Sequence, residues 1–222
     1  MKISTLLFLG LSSLPMQATE KTYPLSAPVA VLLEDEAAFA SFGRAVGAEV
    51  DSLLAAPAEP ARLKMLLAIR VHLGLHTGDD ARALDSAARI KALLPDDANK
   101  AYAGLTTQTL VVARQATNRR PGDPAFNAAF ARDFAARLAA LPATAAMRTV
   151  LEQQRGKFAA MTAESLRGEF AAAAAAIGGR PACTLAEADV LVRLRHRFAD
   201  LLPLRAVLLE TLEAAVAARP AA

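Results

Sequence analysis

The chain has 222 residues, of which 54% are hydrophobic and 21% are charged. This length is sufficient for one domain or two small ones, and the hydrophobic fraction is too high for an intrinsically disordered protein. The single Cys excludes a disulfide framework and a Cys-based zinc or iron–sulfur site, and a formal charge of +3 is too small to indicate a nucleic-acid-binding protein.

Residues 1–18 have the layout of a secretory signal peptide. Lys2 supplies a positive charge, residues 3–14 form an apolar stretch, Pro15 ends it, and the small residue Ala18 stands at the expected cleavage point. The stretch is shorter than the roughly 20 residues that span a membrane, so we expect cleavage rather than an uncleaved anchor. Ala is about a quarter of the residues and Arg far outnumbers Lys, as in GC-rich bacterial genomes. We therefore expect a bacterial protein that is periplasmic or secreted.

The mature chain is predicted to begin with a short leader. Residues 19–31 contain two Pro and show no helical periodicity, which predicts an extended segment. From residue 32 to residue 222, Ala, Leu, Arg and Glu dominate and no segment alternates as a strand would. We predict a single all-α domain over 32–222, with no transmembrane segment after signal cleavage.

Pro, Gly and capping residues divide this domain into about eight helices. Asp123 followed by Pro124 is a strong helix start, and Thr184 with Glu187 forms a capping box. We expect Gly156 or Thr162 to bend the longest helix. The predicted ranges are 34–56, 59–76, 80–94, 97–117, 124–141, 144–177, 184–202 and 203–218. Such helices form antiparallel hairpins, either in a repeat array or in an irregular bundle.

The segment 64–97 has the length of one tetratricopeptide unit, about 34 residues. Its second half resembles that family: Gly78-Asp79 stands at the turn, Ala83 at the small position of the second helix, and Pro95 at the closing proline. The first half departs from the pattern, because Gly74 holds a position that is usually aromatic. The resemblance implies a tetratricopeptide-like array, and the alternative is an ordinary αα-hairpin.

His72 and His76 are the pair with metal-ligand spacing. Four residues apart on a helix, they lie on one face and could contact one ion, and Met65 shares that face. A third ligand is not evident, since His196 is remote in sequence. The alternative places His72 at the edge of the core and His76 near a helix C-terminus, where its charge is favourable. We predict that they are structural and that the chain has no metal or cofactor site.

A basic run, residues 193–197, suggests phosphate or nucleic-acid binding. Projected on a helix, one side carries five polar residues: Asp189, Arg193, His196, Arg197 and Asp200. Ion pairs Asp189–Arg193 and Arg197–Asp200 fit the helical spacing. The pattern therefore predicts an exposed, ion-paired face.

Arg119 and Arg120 form a second basic feature. They add local charge next to Lys100 or Arg114, but no aromatic residues lie between them to stack nucleic-acid bases. We predict no nucleic-acid partner.

Cys183 directly precedes the capped helix at Thr184, and a helix N-terminus lowers the pKa of a nearby thiol. No His is close in sequence to act as its base, so we interpret Cys183 as a small structural residue. Phe126, Phe130 and Phe134 repeat every four residues, which predicts core packing or, alternatively, the lining of a ligand cavity.

No residue pattern in the sequence specifies a catalytic site. We predict a non-catalytic, exported helical protein that acts as a scaffold for another exported protein or a peptide. The alternative is a periplasmic helical bundle that binds a small apolar ligand or a metal ion, using the Phe residues or the His pair.

Overall fold

A computed structural model describes residues 21–25 and 27–221. In this part of the chain the fold is all-α, as the sequence predicted. The helices are α1 (Val29–Leu32), α2 (Glu36–Leu54), α3 (Pro60–Thr77), α4 (Asp80–Ala92), α5 (Asp97–Tyr102), α6 (Leu105–Thr117), α7 (Pro124–Ala139), α8 (Ala145–Ala160), α9 (Ala163–Ile177), α10 (Leu185–His196) and α11 (Arg205–Ala217). The strands are β1 (Tyr23–Pro24) and β2 (Ala182–Cys183).

The sequence predicted a signal peptide over residues 1–18 and no transmembrane segment in the rest of the chain. The signal peptide predicted over 1–18 lies outside the described residues. Within the described ranges, no helix combines the length and the apolar character needed to cross a membrane.

The hairpin of α3 and α4 follows directly from its turn residues. Gly78 ends α3 in the left-handed conformation, with φ of 79°, which a residue with a side chain rarely adopts. The Asp79 amide donates to the Gly74 carbonyl at 2.9 Å, and the Asp79 carboxylate accepts from the Arg82 amide at 3.0 Å. One short turn therefore caps the end of α3 and the start of α4.

Two long predicted helices are each divided in the structure. The range 97–117 is broken where Gly104 takes a φ of 81°, and 144–177 is broken at Thr162. Thr162 and Ser165 form a capping box that starts α9, whereas Gly156 lies inside α8. A capping residue satisfies the free amides of a new helix start, which Gly156 cannot do.

The predicted leader is partly ordered against the body. β1 pairs antiparallel with β2, with Tyr23 opposite Cys183, and the Leu25 amide donates to the Pro181 carbonyl at 2.9 Å. Val29–Leu32 forms a helical turn where the sequence predicted extended chain, because Val29 and Leu32 are buried in the core.

The bundle is closed by late helices that pack on early ones. α3 packs against α2 and α4, α6 packs against α7, and α11 packs on α7 and α8. α10 returns to pack on α3, so the helices do not form a single stacked row. The tetratricopeptide resemblance of 64–97 stays a prediction about that hairpin alone.

The centre of the bundle is filled by aromatic side chains. Phe126, Phe130 and Phe134 are at most 1% exposed, and their rings stack in sequence at 6.5 Å and 5.3 Å. These three residues belong to the core, in agreement with the first interpretation of their spacing.

Several arginines bind the ends of helices. Arg205 donates to the carbonyls of Phe158 and Ala159 at the end of α8, and Arg219 donates to those of Leu138 and Leu141 at the end of α7. The last carbonyls of a helix have no partner within the helix and carry partial negative charge, so a guanidinium satisfies them well. The arginine-rich composition thus has a structural use.

Candidate functional site

A cleft of about 410 Å³ lies where the ends of several helices meet. Its walls come from the start of α2, the last turn of α3, the end of α6 with the following loop, the start of α7 and the segment from α10 to α11. Four of the lining residues are arginines, and together they are called the arginine cleft: Arg114, Arg119, Arg120 and Arg195. Its volume is within the range of small-ligand sites.

Local backbone geometry places Arg119 and Arg120 in the cleft wall. Asn118 ends α6 with a φ of 53°, and Asp123 caps α7 by accepting from the Ala125 amide at 2.8 Å. The two arginines lie between these two helix ends, so a short and well-capped loop carries them. Asn and Asp are suited to these positions because their short polar side chains satisfy local backbone groups.

Arg114 is the arginine of the cleft with the most complete set of partners. It forms an ion pair with Asp80 at the start of α4 and donates to the Leu75 carbonyl at 2.6 Å. Burial is the main cause that lowers its pKa. Because Asp80 neutralises its charge, Arg114 contributes mainly to holding α3, α4 and α6 together.

Arg195 is buried and has few partners. The residue is 8% exposed, donates to the Leu33 carbonyl and lies over the Phe39 ring, with its guanidinium carbon 5.6 Å from the ring centre. Its Nε is buried without a hydrogen-bond partner, and it forms no ion pair within the described residues. Burial lowers its pKa. A buried guanidinium normally has a carboxylate partner, because leaving its charge unpaired is unfavourable.

The sequence analysis considered Arg195 only within the basic run 193–197, which it interpreted as an exposed, ion-paired face, whereas the structure buries this residue. It lies three and four residues after Val192 and Leu191, which are both 1% exposed, so it shares the buried side of α10. The sequence signal that could have identified Arg195 as a candidate site residue is an arginine at a core-facing position of an amphipathic helix. The fold brings Arg195, from the basic run 193–197, to the same cleft as Arg119 and Arg120, which form the second basic feature of the sequence.

The two histidines of α3 have different surroundings. His76 lines the cleft and packs edge-on against Phe39 at 4.8 Å, whereas His72 stacks on His196, with ring centres 4.4 Å apart. His196 is therefore close to His72 and not remote. In the described ranges no group of three or more His, Cys, Asp or Glu side chains is placed to hold a metal ion.

The predicted charged face of the α10 region is only partly correct. Asp189 and Arg193 form the expected ion pair, with Nε to Oδ1 at 2.8 Å. Asp189 is only 6% exposed, however, whereas the Arg193 side chain is 50% exposed, so the pair joins a buried carboxylate to a surface arginine. Burial raises the pKa of Asp189, although its bond to Arg193 acts in the opposite direction.

The second predicted pair, Arg197–Asp200, is absent. Arg197 donates to Glu169 of α9 at 2.5 Å and 3.0 Å, and Asp200 contacts His196 Nδ1 at 2.7 Å. The cause is a π-helical turn over Arg197–Leu201, followed by a 3-10 turn over Leu202–Leu204 that contains Pro203. The wider turn changes which side chains share a face, and Asp200 faces the arginine cleft instead.

Cys183 is fully buried, in agreement with its interpretation as a small structural residue and not as an activated thiol. Burial, followed by the charge of Glu187, raises the pKa of its thiol to about 11. The side chain is fully buried behind β1, so burial outweighs any effect of the neighbouring helix start.

Comparisons with known proteins give no relative for this chain. No protein-family model, no curated protein and no solved structure shows significant similarity to it.

Proposed function

We propose that the protein is a non-catalytic helical scaffold in the periplasm or outside the cell, which binds another exported protein or a peptide. We further propose that the arginine cleft receives an acidic segment of that partner. The observation that carries this proposal is the buried guanidinium of Arg195, which forms no ion pair with the described residues and lies at a cleft with three more arginines.

The charge of the cleft favours an anion. Its lining contains four arginines and two carboxylates, those of Glu36 and Asp200. Arg119 forms no ion pair within the described residues, and Asp200 is already bound to His196. Guanidinium groups bind carboxylates with two parallel hydrogen bonds, which gives both energy and orientation. An acidic side chain or a peptide C-terminus would supply Arg195 with the carboxylate partner that it lacks among the described residues.

The other lining residues favour binding over catalysis. Thr77, at the end of α3, donates its hydroxyl hydrogen to the Leu73 carbonyl at 2.9 Å. His76 packs against Phe39 rather than against a nucleophile. Among the described residues the exposed large hydrophobic residues are the scattered valines Val31, Val112 and Val190, so a charged contact is a better basis for partner binding than an apolar one.

No second function is advanced from the structure. Of the Phe residues offered for an apolar-ligand cavity, Phe130 and Phe134 lie in the core, and Phe126 lines the cleft but is only 1% exposed. The His pair offered for a metal has divergent contacts.

The test is binding of a fluorescein-labelled poly-glutamate peptide, followed by fluorescence anisotropy at low salt. Arg119→Glu should weaken binding roughly three- to tenfold, because it reverses a charge of the cleft. Arg119 is exposed and its side chain has no bonding partner among the described residues, so the fold should not depend on it.

Arg62→Glu is the matched control. Arg62 is an exposed arginine in the first turn of α3, about 20 Å along the helix from the cleft at its last turn. Its reversal changes the net charge equally and should leave affinity within about twofold. Equal weakening by the two variants would overturn the site, and tighter binding of a single-stranded oligonucleotide than of the peptide would overturn the choice of partner.

A further inference from the structure

Glu36 already places a carboxylate in the arginine cleft. It is the first residue of α2, and its Oε1 accepts from Arg120 Nη1 at 2.6 Å across 84 residues of sequence. Both side chains line the cleft. The cleft is therefore observed with one acidic side chain bound to one of its arginines.

The ion pair between Glu36 and Arg120 is exposed to solvent. The side chains of Glu36 and Arg120 are 54% and 76% exposed, against 21% and 27% for Asp80 and Arg114. An exposed pair contributes only about 0.2–1 kcal/mol, so a competing carboxylate can replace it at small cost. Asp35, not Glu36, caps α2, with its Oδ1 accepting from the Ala38 amide at 2.8 Å. The helix start therefore does not depend on the Glu36 carboxylate.

The surroundings of Glu36 also show that the cleft favours negative charge. Its pKa is lowered chiefly by the hydrogen bond from Arg120, with smaller contributions from the charges of Arg120, His76 and Arg195. A carboxylate brought by a partner would experience the same groups. Glu36 thus indicates the position and the chemistry of the ligand group.

We infer that Glu36 is an internal competitor, which occupies Arg120 until an acidic group of the partner displaces it. This inference rests on the proposed function, because it concerns the same cleft and the same class of ligand. Removal of the Glu36 charge should therefore strengthen binding, whereas removal of a nearby carboxylate outside the cleft should not.

The experiment compares Glu36→Gln with Glu34→Gln by anisotropy of the same poly-glutamate peptide. Glu34 is a matched control: it is two residues away and pairs with Arg167 of α9 at 3.2 Å, with both side chains 60% exposed. Each variant removes one negative charge. We expect Glu36→Gln to bind about two- to fivefold tighter than wild type, the gain that corresponds to loss of an exposed pair, and Glu34→Gln to change affinity by less than about 1.5-fold.

A second background tests whether the gain depends on Arg120. In the Arg120→Gln protein, the further change Glu36→Gln should not strengthen peptide binding, because the guanidinium that Glu36 occupies is already absent. Circular dichroism of every variant reports the folded state.

The outcomes separate the two proposals. Binding by wild type with equal affinities for Glu36→Gln and Glu34→Gln would refute the competitor and leave the proposed function standing. Absence of binding by both wild type and Glu36→Gln would refute the proposed function, and the competitor with it. Binding by Glu36→Gln alone would support both.

Discussion

Gly74 of α3 lies close to the turn and the first residues of α4, and its replacement by Ala is a direct test of the hairpin. A Cβ at this position would lie 3.0 Å from the Ala83 backbone nitrogen, 3.0 Å from the Asp79 carbonyl oxygen and 3.2 Å from the Ala83 Cβ. Two of these three neighbours are backbone atoms in the capped turn, so they cannot move aside as a flexible side chain would.

The magnitude follows from two opposing terms. Inserting a methyl group into a packed site costs about 1–3 kcal/mol. Replacing Gly by Ala inside a helix is itself favourable by about 0.5–1 kcal/mol. We therefore expect Gly74→Ala to lower the free energy of unfolding by about 1–2 kcal/mol. Urea denaturation followed by circular dichroism measures this change.

Gly168 is the matched control, since it lies inside α9 and a Cβ there would meet nothing within 4 Å. Gly168→Ala should raise the free energy of unfolding by about 0.5–1 kcal/mol. Adding Ala83→Gly to Gly74→Ala should recover little stability, because the two backbone contacts remain. A Gly74→Ala protein that is as stable as the Gly168→Ala protein would refute the close approach of α3 and α4.

Two further predictions concern buried side chains, His72 and Arg219. The free energy of unfolding should fall as pH drops below 6.5, because burial holds the pKa of His72 well below this ordinary value, so the unfolded chain binds a proton that the folded protein does not. Urea titrations should give a free energy of unfolding that is about 1 kcal/mol lower near pH 5.5 than near pH 7 because of His72. The variant His72→Gln should reduce this pH dependence, and an unchanged pH dependence would contradict the burial of a neutral His72. Arg219→Met should cost about 2–4 kcal/mol, since it leaves the carbonyls of Leu138 and Leu141 without their donor, whereas Arg132→Met at an exposed position should cost less than about 0.5 kcal/mol. Equal losses from the two arginine variants would show that Arg219 is not the buried clamp described above.

The helical fold could be predicted because its signals are local. The capping box of Thr184 and Glu187, the Asp123-Pro124 start and the Gly78 turn all act within a few residues, and each is found where the sequence placed it. The breaks at Gly104 and after α10 were missed. At Gly104 a Cβ would lie 3.7 Å from the Ala87 Cβ, an ordinary van der Waals contact, so this break follows from the positive φ of Gly104 rather than from close packing.

The candidate site could not be predicted because it joins residues from distant parts of the chain. Arg120 contacts Glu36 across 84 positions, and Arg195 contacts Leu33 across 162. Periodicity also failed at Arg197–Asp200, since a π-helical turn changes the spacing on which the predicted ion pair depended. The basic residues were visible in the sequence, but their convergence was not.

Comparison of two buried arginines supports the proposed binding role of the cleft. In Arg219 all three guanidinium nitrogens donate to carbonyl oxygens, which accounts fully for its burial as a clamp on the end of α7. In Arg195 one nitrogen donates to the Leu33 carbonyl, while Nε is buried without a partner and no carboxylate pairs with the group in the described part of the chain. Burying a donor without a partner is unfavourable. Arg195 lines the cleft in which Glu36 already binds Arg120, so an incoming carboxylate would pair with its charge there.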